Sequence, residues 1–195
     1  MVYLCDSCRM LTLNFDPFPV LTTERLILRP ISEKDASEIF FFRSDPDMMR
    51  YIDRQPATSI EQAVDWVKMI RSGIEKNENI LWGLQLKNDN KLIGNITFWR
   101  IEKEHYRAEI GYMLHTAHQG KGLMKEAMTA ALDYGFNTIK LHSVEANVNP
   151  ANDASIKLLE RTGFVREAYF RENYFFNGKF IDSAIYSLLA PPSNR

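Results

Sequence analysis

The chain has 195 residues, 45% of them hydrophobic and 25% charged, with a formal net charge of −1. That is the balance of one globular domain with enough chain to close a core. It excludes the broad basic field of a nucleic-acid binder, and no run approaches the ~18 apolar residues of a membrane span. The start lacks a cationic stretch, an apolar run and a small-residue cleavage site, so it does not read as a signal peptide and the expected compartment is the cytoplasm.

Cys5 and Cys8 form a lone Cys-x-x-Cys. A zinc site needs about four ligands, and no second Cys or His pair lies nearby, so no metal is expected. A thioredoxin-like motif follows a strand and opens a helix; the residues around this pair do neither. Residues 1–19 therefore read as an extended or partly disordered leader. A translation start at Met10 is an alternative, and intact mass of the native product decides it.

In chain order, Asp16-Pro-Phe-Pro19 reads as extended, because residues before proline avoid the helix. Arg25 to Pro30 is a short strand. Ser32 and Asp35 form a capping box that opens a helix with Ile39 to Phe42 at its apolar end. Ser44-Asp-Pro-Asp47 is a turn. Ser59 and Gln62 make a second capping box, and Ala63, Val67, Ile70 and Ile74 share one helix face behind it. Ile80 to Leu86 alternates as a strand, Lys87 to Lys91 is a turn, and Leu92 to Ile101 is its hairpin partner. Ala108 to Leu114 is a further strand. A helix from about Gly120 carries Leu123, Ala127, Ala130, Ala131 and Tyr134 on one face and stops near Gly135. Leu141 to Val148 is a strand, and a helix from Asn149 to Arg161 is stopped by Gly163. Two β runs flank Asn177-Gly178, a strong hairpin signal. The order β-α-α-β-β-β-α-β-α-β-β describes an α/β chain, a mixed sheet with helices on its faces.

Two segments carry chemistry. In Glu109-Ile-Gly-Tyr-Met-Leu114, then Gln119-Gly-Lys-Gly-Leu-Met124, a strand runs through a glycine turn into a helix. Gly120 and Gly122 let backbone approach a ligand. Unpaired N–H groups and the helix dipole make such a turn an anion cradle fit for a pyrophosphate. Lys121 and Lys125 add charge nearby, and Glu109 is a carboxylate one strand-length upstream. In the second, Asn149-Pro-Ala-Asn-Asp-Ala-Ser155, helix capping accounts for one polar residue. The spacing of three puts Asn152 and Ser155 on one helix face, where both can line a cleft.

Together, in this order, these segments resemble the GNAT superfamily of acyl-CoA-dependent N-acyltransferases. The likeness extends to the Rim-type branch that acetylates the N-termini of ribosomal proteins. It includes Thr23-Glu-Arg-Leu-Ile-Leu-Arg-Pro30 at the opening and Asn177-Gly-Lys-Phe-x-Asp182 with Tyr186-Ser-Leu-Leu189 at the end, and covers roughly residues 20–190. The resemblance implies a single GNAT-like domain over 20–190, a short tail at 191–195, and a mostly antiparallel twisted sheet of about six to seven strands with about four helices. It implies acetyl-CoA as co-substrate. The amides of Gln119, Gly120, Lys121, Gly122, Leu123 and Met124 would hold its pyrophosphate, the backbone of Tyr112, Met113 and Leu114 would pair with the pantetheine arm, and Asn152 would contact the cofactor. Two positions depart from the family pattern. Met124 stands where Gly or Ala is usual, and Leu159 stands where many members place the Tyr that protonates the leaving thiolate. By the same resemblance Ser155 takes that role.

The mechanism implied is direct attack by an amine. An α-amine with a pKa of about 8 must lose a proton first, and Glu109 is the candidate base. A backbone N–H of Tyr112 to Leu114 is the expected oxyanion donor. His115 and His118 flank the turn as alternative bases or as surface residues. Trp66, Trp82 and Trp99 are expected in the core, and Tyr169, Tyr174, Phe175 and Phe176 either line an acceptor cleft or pack the sheet. Three functions remain open: acetylation of a protein N-terminus, acetylation of a small amine (polyamine, amino sugar or antibiotic), and an acetyl-CoA sensor without turnover. The protein is expected to be a monomer or a homodimer.

Overall fold

The computed structural model describes residues 10–192; Cys5, Cys8 and the Met1-or-Met10 question lie outside them. The elements are β1 (Leu21–Thr22), β2 (Leu26–Arg29), α1 (Ala36–Ser44), α2 (Pro46–Met49), α3 (Ile60–Glu75), β3 (Ile80–Leu86), β4 (Leu92–Glu102), β5 (Arg107–Leu114), α4 (Leu123–Asp133), β6 (Ser143–Val148), α5 (Asp153–Arg161), β7 (Val165–Phe176) and β8 (Lys179–Leu189). They build one 8-stranded sheet in the order β1-β2-β3-β4-β5-β6-β8-β7. Every neighbouring pair is antiparallel except β5 and β6.

The helices cover both faces. On one, Ile39 and Phe42 of α1 and Ala63 and Val67 of α3 pack with Ile31, Leu81 and Leu92. On the other, Ala127, Met128 and Ala131 of α4 and Leu159 of α5 join Trp82, Ile96, Phe98 and Ile110 in the larger core. Leu11, Leu13 and Phe15 are buried in that same core. The backbone N–H of Leu11 donates to the Lys103 carbonyl (3.0 Å), and the Trp82 indole donates to the Pro19 carbonyl (2.7 Å). The packed unit therefore begins before residue 20, because residues 10–20, although they hold no helix or strand, supply apolar side chains that the core encloses.

Other differences from the sequence reading are local. The extra strand, β1, is a two-residue edge, too short to leave a period. The extra helix, α2, replaces the turn at Ser44 to Asp47. The Asp45 carboxylate accepts from the N–H groups of Asp47 and Met48 (3.0 Å each), and Pro46 occupies the first helical turn. Ser59 caps α3, but Gln62 reaches past it to Thr58, accepting from its N–H (2.9 Å) and donating to its hydroxyl (3.1 Å). Gly135 does not stop α4, which continues through a π turn to Thr138. A Cβ there would lie 3.0 Å from the Phe98 ring, so this glycine permits close packing. The Ser32–Asp35 capping box is present, and Arg29 grips Asp35 with two bonds (2.6 and 3.0 Å).

The feature that positions the site is the β5–β6 pairing. It spans Arg107 to Glu109 against Ser143 to Glu145 and then ends. Beyond it β5 stays with β4 as far as Leu114, and β6 stays with β8 as far as Val148. The sheet therefore splits, leaving one edge of Tyr112 to Leu114 without a strand partner. Gly94 pairs with Leu114 at the end of this edge. A Cβ at Gly94 would sit 2.3 Å from the Met113 carbonyl oxygen, which as backbone cannot swing away. Gly94→Ala is expected to destabilise the fold by about 1–3 kcal/mol in urea unfolding.

Candidate active site

The split opens into a cleft of about 620 Å³ lined, among others, by Glu109, Gly111, Tyr112, Met113, Asn149, Asn152 and Ser155. Side chains alternate along β5. Glu109, Gly111 and Met113 face the α1–α3 side, where Met113 packs. Ile110, Tyr112 and Leu114 face the α4–α5 side. Two sets of functional groups thus reach one gap from opposite faces of the sheet.

Glu109 stands on the last β5–β6 rung, opposite Glu145. Its side chain is 12% exposed, and Arg100 bonds it at 3.1 Å. Burial pushes the Glu109 carboxyl above its ordinary value; Glu145 adds to this, and the Arg100 guanidinium draws it part of the way back. Arg100 reaches this position from a β-bulge in β4, where its φ is +47°, and it stacks over the neighbouring Trp99 ring at 4.3 Å. On the other face the Tyr112 and Ser155 hydroxyl oxygens are 2.6 Å apart. Burial pushes the Tyr112 phenol up to about 12, although the bond to Ser155 lowers it, so it keeps its proton at neutral pH. Two hydroxyl hydrogens serve one mutual bond. Whichever oxygen donates, one O–H is left to donate into the cleft.

Asn152 is the cap of α5: its side-chain oxygen accepts from the Ser155 N–H at 3.1 Å. That bond orients Ser155 and leaves the Asn152 amide NH₂ for a ligand. Leu114 and the turn from Gln119 to Met124 are not among the residues that line the cleft. The turn lies beyond the β5 end, past a 3₁₀ turn at Thr116–His118. Gly122 caps α4 with φ +76° and Gly120 has φ +73°; a Cβ on Gly120 would meet nothing within 4 Å. Space is thus open beside Gly120, just ahead of α4, while the Arg25 guanidinium lies 3.6 Å from where a Cβ on Gly122 would sit. Leu123 and Met124 bury their side chains in the core, so only their backbone is offered, and Met124 replaces a smaller residue without blocking the turn. The Lys121 ammonium folds back onto the Ala117 carbonyl (2.8 Å), and the Gln119 side chain donates to the Leu114 carbonyl (2.9 Å).

The comparisons with known proteins agree with this geometry. The family profile described as "Acetyltransferase (GNAT) domain" matches residues 25–165. The chain belongs to the GNAT acetyltransferase family. It is 35% identical to the uncharacterized N-acetyltransferase YoaA of Bacillus subtilis (strain 168), over 89% of this chain and 98% of that protein. It is 28% identical to the ribosomal protein uS5-alanine N-acetyltransferase of Escherichia coli (strain K12), over 88% and 91%, which bears out the likeness to the Rim-type branch. Among solved structures, a spermidine N-acetyltransferase from Vibrio cholerae in complex with CoA and spermine is similar at 27% identity and a TM-score of 0.76, over 87% of this chain and 96% of that one. This GNAT protein is an acyltransferase.

Several functional residues of this acetyltransferase escaped the sequence reading. Arg25, in the bend between β1 and β2, donates to the Lys121 carbonyl (2.9 Å) and, with its own N–H and Thr23, to the Glu126 carboxylate of α4. The start of the chain thereby lashes the glycine turn in place. Burial alone would raise Glu126, but these donors hold it below its ordinary value. The Tyr112 hydroxyl was missed because only its backbone was considered; strand alternation opposite Glu109 was the available signal. Leu159, at the position the sequence reading compared with a family Tyr, is fully buried, and the phenol of Tyr112 stands beside Ser155. Trp82 is a core residue; Trp66 of α3 is half-buried, packs against the α1–α3 core and also lines the cleft, and Trp99 is half-buried on the cleft wall beneath Arg100. Tyr174 lines the cleft, whereas Tyr169 bonds Asp182 and Phe175 packs on Phe180 at an exposed tip. His115 and His118 line a separate pocket; His115 stacks on Phe41 at 4.7 Å and accepts from the Ala117 N–H. Among the described residues there is no group of three or more His, Cys, Asp or Glu that could hold a metal ion, and no helix is long and apolar enough to cross a membrane.

Glu109 also makes a stability prediction. Its native pKa is raised, so ionisation is harder in the folded state than in the unfolded one. Any contribution it makes to stability is present in acid and is lost as pH rises through the native value. Glu109→Gln is therefore expected to have a higher Tm than the parent at pH 7. The difference should vanish below pH 4.5, the ordinary carboxyl value, in thermal unfolding monitored by circular dichroism.

Proposed function

We propose that this GNAT protein acetylates a protein N-terminal α-amine by direct attack on acetyl-CoA. The observation that carries the reading is Glu109, a buried carboxylate with a raised pKa where the sheet splits. The co-substrate fits the residues present. Open space beside Gly120, just ahead of α4, suits a pyrophosphate held by the amides of Gly120 to Met124. The unpaired edge of Tyr112 to Leu114 suits a pantetheine amide, and Asn152 offers its NH₂. Acetyl-CoA supplies the activated acetyl thioester. Glu109 removes a proton from the incoming ammonium, directly or through water. A backbone N–H of the unpaired β5 edge donates toward the developing oxyanion. Tyr112 and Ser155 hold a proton on the far side for the departing thiolate.

The acceptor assignment is supported by the charge of the cleft. Asp53, Glu109 and Asp182 are matched there by Arg43, Arg54 and Arg100. Glu109 is engaged by Arg100, and Asp182 by Tyr169 and the Glu172 N–H. A polyamine calls for an acidic surplus, and this lining has none; its size and aromatic walls suit a peptide. Acetyl-CoA-dependent thiol release against N-terminal peptides, polyamines, amino sugars and aminoglycosides tests the assignment, with acetyl-CoA binding titrated alongside. Turnover of peptides is expected. Turnover of small amines alone would refute it, and binding without any turnover would favour a sensor.

Glu109→Gln is expected to lower kcat by a factor of about 10² to 10⁴ with near-normal acetyl-CoA affinity; unchanged activity refutes the base assignment. Ser155→Ala and Tyr112→Phe are expected to slow turnover by about tenfold each and the double variant by little more, since the two hydroxyls act as one donor. Full additivity would show that they act separately.

A further inference from the structure

The α1–α3 side of the cleft holds a cation without a counter-ion. Arg43, in the last turn of α1, lies over the Trp66 ring of α3 at 4.9 Å. Its Nε is buried without a hydrogen-bond partner. Among the described residues its guanidinium has no ion pair, and Arg54, its charged neighbour, adds repulsion. Asp53 lines the same cleft but forms no ion pair with either arginine; burial alone pushes its carboxyl up. Arg100, by contrast, holds Glu109, so among the described residues the unpaired guanidinium groups on this lining are those of Arg43 and Arg54. A half-buried guanidinium with unused donors is costly unless an anion arrives, and its planar fork matches a carboxylate. The ring of Trp66 fixes one face of that fork and leaves its edge for a ligand.

We propose that Arg43, assisted by Arg54, is a carboxylate-binding subsite that selects acceptors with an acidic group close to the reacting amine. The inference rests on the peptide reading above and refines it: the preferred substrate is an N-terminus with Asp or Glu among its first residues. Arg43 and Glu109 share one face of the sheet and one cleft, so an acceptor can present its amine to Glu109 while its carboxylate meets Arg43. The same chemistry is available from the α-carboxylate of a free amino acid, and the two sources are separable by experiment.

The test compares kcat/KM for short peptides that start with Ala or Ser and carry Glu, Gln or Lys at the second and third positions. Free amino acids form a parallel arm. The parent protein, Arg43→Gln, Arg43→Lys and Arg54→Gln are assayed, with circular dichroism and acetyl-CoA affinity as checks on folding. The parent is expected to prefer Glu over Gln peptides by about tenfold or more. Arg43→Gln should bring that ratio close to one, Arg43→Lys should restore part of it, and Arg54→Gln should reduce it. Should Arg43→Gln fail to fold, the other two variants carry the test, Arg54 being an exposed residue. Equal kcat/KM for Glu and Gln peptides in the parent, or a preference untouched by these variants, overturns the proposal. Turnover of free acidic amino acids alone, lost on changing Arg43, keeps the subsite and overturns the peptide reading. No turnover of any carboxylate-bearing amine overturns both.

Discussion

The short parallel ladder between β5 and β6 is the constraint on which the rest of the structure depends. It holds the two halves of the sheet together from Arg107 to Glu109 and then releases them. A longer ladder would satisfy the backbone of Tyr112 to Leu114 and close the cleft. A shorter one would leave Glu109 without a fixed position. The unpaired edge is tolerated because it faces a cleft open to solvent, where water or a ligand can satisfy its polar groups. Two ties keep the gap from collapsing or spreading. Tyr112 and Ser155 join β5 to the start of α5, and Glu126 with Arg25 joins α4 to the first strands.

The same split sorts the chemistry by face. The proposed base, Glu109, lies on the α1–α3 side, and the hydroxyls of Tyr112 and Ser155, proposed as proton donors, lie on the α4–α5 side. Burial shifts both in the useful direction: it raises Glu109, making it a stronger base than an exposed glutamate, and raises Tyr112, keeping the phenol protonated. Arg100 opposes the first shift. The unpaired charges, chiefly Arg43, face the cleft and give it a polarity that neither the net charge nor the glycine turn would suggest.

Much of the architecture was legible in local pattern. The hairpin at Asn177-Gly178, the apolar face of α3, the Ser32–Asp35 box and the stop at Gly163 all rest on interactions within a few residues, which sequence spacing reports directly. The departures have the opposite origin. Gly135 reads as a stop because glycine ends helices, but its role is to admit the Phe98 ring from β4. Trp99 reads as core because its face is apolar, but it stands half-buried on the cleft wall beneath Arg100. Leu11, Leu13 and Phe15 read as leader because no periodic element contains them, but the core closes over them.

By itself the sequence determined the glycine turn before an amphipathic helix, the carboxylate at Glu109, the polar helix start at Asn152 and Ser155, and through them the family. These are short-range patterns, set by backbone requirements that single residues reveal. Tertiary structure alone decided that Arg100 would meet Glu109, that the Tyr112 hydroxyl would meet Ser155, that Arg25 would brace the turn, and that Arg43 would stand over Trp66 without an ion pair among the described residues. Each of these depends on which strands part and which helices cross them. Such contacts join residues as much as 101 positions apart, as for Arg25 and Glu126, and no local spacing encodes them.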